Sequence, residues 1–150
     1  MSVPQSAGAD ADSQGPEQQL ARRIDTIEEA YEFFLAYASQ GVPADHPSAS
    51  GDQIRHFLKR CDGALTGLGD FIVTFVDHAG LSPAPYRAFA GVIDRDARDA
   101  SAAIQLVLSL PAIGSQVIDN LNASIHLRAL LTDLFLIDEV LKTATREPAR

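Results

Sequence analysis

The sequence predicts an all-α protein, an antiparallel up-down four-helix bundle preceded by a disordered N-terminal tail. Three observations predict it. Large apolar residues recur at alternating steps of four and three, the period of one helix face. Glycine and proline punctuate the ends of these runs, at Gly41–Pro43, Gly80–Pro83 and Pro111–Gly114. No segment alternates apolar and polar residues over strand length, so no sheet is expected.

Residues 1–18 are mostly Ser, Gly, Ala, Asp, Gln and Pro and hold almost no large apolar side chain. Such a segment cannot bury enough surface to offset its ordering entropy, so it is expected to be a disordered acidic tail. The bundle is expected over 19–145, with 146–150 a frayed end.

The first helix carries Leu20, Ile24, Ile27, Tyr31, Phe34 and Ala38 on one stripe. Thr26 with Glu29 fits a capping box, although Pro16 offers an earlier start. Gly41 suits the left-handed position after the helix, and Pro43 prevents its continuation. Ser50 with Gln53 can cap the second helix. Its stripe of Ile54, Leu58, Cys61, Leu65, Leu68, Ile72 and Phe75 reads as one unbroken repeat. Gly63 and Gly67 on that helix are expected to let a neighbour approach closely. Gly80 ends it. Ser82 then caps a third helix over about Pro83 to Ser109, lined inside by Phe89, Ile93, Ala100, Ile104 and Val107. The fourth helix, Ser115 to Ala144, is the most apolar and is expected to be continuous.

The totals exclude several classes. There are 20 acidic against 12 basic residues, a formal net charge of -8, so phosphate-neutralising nucleic-acid binding is not expected. The same charge disfavours an anionic membrane surface. The single cysteine cannot form an internal disulfide, and the N-terminus has no signal-peptide pattern, so a cytoplasmic protein is expected. No apolar stretch is long enough to span a bilayer.

Two constellations could carry chemistry. His56 lies away from the apolar stripe of its helix and should face outward, with Lys59 beside it and Asp52 one turn before. The stretch from His56 to Leu65, "HFLK" with an apolar residue at Leu65, is similar to the histidine phosphotransfer domains of phosphorelays. That resemblance implies an acidic four-helix bundle whose second helix exposes a phospho-accepting histidine, here His56. An exposed imidazole can take a phosphoryl group, and Lys59 could offset its charge. The sequence departs from the pattern one turn later, where Arg60 replaces a small glycine and would crowd an incoming receiver domain.

The second constellation is a stripe of short polar residues on the fourth helix: Ser115, Asp119, Asn122, His126 and Asp133. On an otherwise apolar helix it suggests partial burial. It reads as a hydrogen-bonded polar layer, or as a metal site of Asp119, Asn122 and His126 completed by a carboxylate such as Glu32. The Glu-x-x-His pairs of di-iron bundles are absent from the sequence, so no cofactor is expected. Cys61 sits in the apolar stripe and reads as an inert buried thiol.

Large apolar residues from Val117 to Leu141 occupy more of the helix circumference than one core requires. The expected function is therefore non-catalytic: an adaptor, accessory or assembly factor with a protein partner, self-associating through the fourth helix, as a homodimer. Leu127, Leu131, Phe135 and Ile137 are the expected contact residues.

Overall fold

A computed structural model describes residues 15–45, 47–81 and 83–146, all in helices and their connections. The expected tail over 1–14, the end from 147, the cap at Ser82 and the loop residue His46 lie outside the described residues. Six helical segments build four legs: α1 Pro16–Ala38, α2 Ala49–Leu65, α3 Leu68–Ala79, α4 Pro83–Leu108, α5 Ser115–Ala123 and α6 His126–Thr145. The second leg is α2 and α3, the fourth α5 and α6. The first and third legs each pack on both of these, as in the expected up-down bundle.

Helix α1 starts at Pro16, with Gly15 as N-cap, so residues 16–18 belong to the bundle rather than the tail. Thr26 is consequently mid-helix. The start is set by proline in the first turn, where its missing N–H leaves no bond unmade. Leu20, Ile24, Ile27, Ala30, Phe34 and Tyr37 are its buried face. Helix α2 is capped by Ser48 rather than Ser50: the Ser48 hydroxyl accepts from the Gly51 N–H at 3.0 Å.

The second leg is not one helix. Gly67 takes φ 67°, the left-handed region, and Thr66 is extended, so α2 ends and α3 begins across them. Arg23 of α1 holds the break, donating to the Thr66 carbonyl at 2.8 Å while lying 5.0 Å from the Phe71 ring centre. The apolar register survives: Leu58, Cys61, Leu65, Leu68, Ile72 and Phe75 are all buried. Each large member contributes about 1.5–3 kcal/mol. The close approach expected at Gly63 and Gly67 occurs instead at Gly69. A Cβ on Gly63 or Gly67 would meet open space, whereas one on Gly69 would lie 2.6 Å from the Asp94 Cβ of α4.

The fourth leg also breaks. Ile125 adopts φ 63°, among the described residues the one positive φ outside glycine, and separates α5 from α6. The two loops at one end of the bundle are stitched together. The Ser115 hydroxyl donates to the Tyr37 carbonyl at 2.7 Å and accepts from the Val42 N–H at 2.8 Å. Arg55 of α2 donates to the carbonyls of Leu108 and Leu110, each at 2.8 Å, closing the C-terminus of α4.

Candidate functional site

Helices α4 and α6 pack side by side, and the start of α4 meets the second half of α6. Their seam opens there into an apolar groove of about 290 Å³, lined by Pro85, Tyr86, Phe89, Leu136, Ile137 and Val140. Ile137 is its buried floor. Tyr86 and Phe89 are half-buried walls, and Leu136 and Val140 are exposed at 54 % and 38 %. A hollow of about 400 Å³ near the end of α6 is larger, but Glu17, Asp138, Lys142 and Arg146 give it a charged rim. Within it Lys142 already pairs with Asp138 at 2.9 Å.

The expected contact residues divide. Leu127, Leu131 and Ile137 lie in the core of the chain, and of the four only Phe135 is exposed. The reason is the left-handed residue at Ile125. It resets the direction of α6, so an outward face extrapolated from α5 does not continue through it. The apolar excess read from the sequence emerges instead at Ile125, Phe135, Leu136 and Val140.

The polar stripe divides too, though not at Ile125. Ser115 is buried in the loop stitch. Asn122 is half-buried and donates to the Phe34 carbonyl of α1 at 3.2 Å, while its own side-chain carbonyl oxygen is buried without a partner. Asp119, His126 and Glu32 are exposed. Among the described residues no group of three or more His, Cys, Asp or Glu side chains is placed to hold a metal ion. Asp133 is half-buried, and burial followed by the neighbouring Asp96 raises its pKa to about 7.

His56 is exposed on α2, its ring edge-on to Phe57 with centres 6.1 Å apart, and Lys59 is exposed one turn on. Arg60 is held by Glu29 at 3.8 Å and lies 5.9 Å from the Phe57 ring centre. Cys61 is fully buried, and burial, reinforced by the charge of Asp62, pushes its thiol up to about 12. Asp62 is engaged on the outer side by Ser101 and Gln105 of α4.

No protein-family model, curated protein or solved structure matches this chain. No helix among the described residues is long and apolar enough to cross a membrane.

Proposed function

We propose that this chain is a non-catalytic helical-bundle interaction protein that self-associates through the α4–α6 face. The observation that supports this reading is the groove: apolar side chains from two helices surround a hollow whose rim, Leu136 and Val140, stays in contact with water. Burying such a rim against a second copy removes apolar surface from solvent at about 25 cal/mol per Å². Multi-angle light scattering at micromolar concentration tests it. A dimeric mass that becomes monomeric in Leu136→Asp supports the reading. A monomeric mass for the wild type across the accessible range overturns it.

A second reading is phosphotransfer through His56, favoured by the exposure of that imidazole beside Lys59. Incubation with phosphorylated receiver domains tests it. Label that appears on the wild type and not on His56→Gln supports it, and absence of transfer from every cognate receiver ends it.

A further inference from the structure

The fourth leg breaks at a residue that resists breaking. From Ser115 to Thr145 the sequence holds neither glycine nor proline. Ile125 nevertheless takes φ 63°, a region that β-branched side chains avoid. The first turn of α6, which follows, has no side-chain cap. A continuous helix would relieve both features. Residue 125 would be right-handed, and the N–H groups of that first turn would reach the carbonyls at the end of α5.

Helical phase explains why a single chain breaks there. On a continuous helix at about 100° per residue, the buried face of α6, formed by Leu127, Leu130, Leu134 and Leu141, would point roughly 150° away from the α5 face centred on Ile118. One bundle cannot take both faces from a straight helix, so the left-handed residue turns α6 inward. The exposed apolar residues keep the other phase. Ile125, Leu136 and Val140 would all fall within about 40° of Ile118 on the continuous helix, yet the single chain leaves them exposed.

The two halves of the leg are held differently. Helix α5 is pinned by hydrogen bonds: Ser115 to Tyr37 and Val42, and Asn122 to the Phe34 carbonyl. On α6, the hydroxyls of Thr132, Thr143 and Thr145 and the Lys142–Asp138 pair close on the helix itself. Its apolar face seats it between α1 and α4.

We infer that α6 is exchanged between two copies of this chain. The leg straightens through Ile125, α5 stays in its own bundle, and α6 enters the slot between α1 and α4 of a second copy, which returns its own α6. The occupant is a second copy because the slot each chain vacates is the one that α6 already fits. Ile125, Leu136 and Val140 then lie on the side of the long helix turned toward its own bundle, where the incoming α6 sits. Strain at a short hinge favours such exchange. The inference rests on the self-association reading and says how the second copy is held.

Ile125→Gly separates the two. Glycine takes positive φ freely and is a poor helix former, so it favours the broken leg in each chain. In sedimentation equilibrium the dissociation constant of the dimer should rise by ~100-fold or more, on the order of tenfold for each of two hinges. An unchanged dissociation constant would overturn the exchange and leave association through the α4–α6 face standing. A wild type that stays monomeric would overturn both. Wild-type kinetics need no variant. Dimers labelled at the N-terminal amine with donor and with acceptor fluorophores are mixed. Exchange requires α6 to leave its core, so energy transfer should appear over minutes to hours and accelerate in mild urea. Mixing that is complete within seconds and insensitive to urea would sink the inference.

Discussion

The phenolic hydroxyl of Tyr37 donates to the backbone carbonyl of Ile113 at 2.6 Å, and both residues are buried. The bond ties the end of α1 to the loop between α4 and α5, elements 76 positions apart in sequence. The adjacent Ser115 hydroxyl makes two further bonds, to the Tyr37 carbonyl at the end of α1 and to the Val42 N–H of the first loop, so three side-chain bonds close this end of the bundle. Tyr37→Phe keeps the ring and removes the donor, leaving the Ile113 carbonyl buried without a partner. The expected loss is about 1–3 kcal/mol in urea unfolding. A change in midpoint too small to measure would mean that water reaches the carbonyl.

The break in the second leg predicts different responses from three neighbouring glycines. Gly63 is exposed inside α2, and its Cβ position is empty, so Gly63→Ala should stabilise by up to about 1 kcal/mol through helix propensity. Gly69→Ala forces a Cβ against Asp94 of α4 and should destabilise by about 1–3 kcal/mol. Gly67→Ala meets no atom but must hold φ 67°, costing about 1–2 kcal/mol. Thermal or chemical unfolding of the three variants checks the order. Equal effects would show that the break at Gly67 does not distinguish them.

The contrast among these glycines shows what was legible in the sequence. The four-three spacing fixes which residues are buried on a helix face, and it held for Leu65, Leu68 and Ile72 even across a break. The break itself left no trace in that spacing, because Gly67 falls between stripe positions and the stripe runs on in register on both sides of it. The same blindness affects the fourth leg. Nothing in the type of Ile125 announces a positive φ, since β-branched residues avoid it. The apolar excess of that leg is readable in the sequence, but its outward direction is not: Leu127, Leu131 and Ile137, expected at a contact surface, fill the core.

Ile125 combines two unfavourable features: a left-handed backbone on a β-branched residue, and a side chain 61 % exposed to solvent. Replacing it with glycine removes the steric conflict and sacrifices little burial. Ile125→Gly should therefore stabilise the chain by about 1 kcal/mol, after the greater entropy of glycine in the unfolded state is counted. The measurement is the shift in denaturation midpoint. A loss of comparable size would show that the isoleucine side chain makes a contribution its exposure conceals.

Cys61 should be chemically silent in the folded protein. Its thiol is fully buried and pushed up to about 12, so little thiolate is present at neutral pH. Reaction with a thiol-specific disulfide reagent at pH ~8 should be slower than in denaturant by on the order of 10³-fold. Rapid labelling of the native protein would mean that α2 opens readily around this position.

The self-association reading makes a prediction about salt. The chain carries a formal net charge of -8, so bringing two copies together opposes like charge to like charge. Added salt shortens the screening length from about 10 Å at 0.1 M to about 3 Å at 1 M. An association driven by burial of Leu136 and Val140 should therefore tighten as sodium chloride is raised. An association held by ion pairs across the contact would loosen. Sedimentation velocity at two salt concentrations separates the cases. Val140→Asp, at a position 38 % exposed, should abolish the dimer at both concentrations while leaving the helical circular-dichroism signal unchanged. A dimer that persists in this variant would place the contact on another face of the bundle, away from the α4–α6 groove.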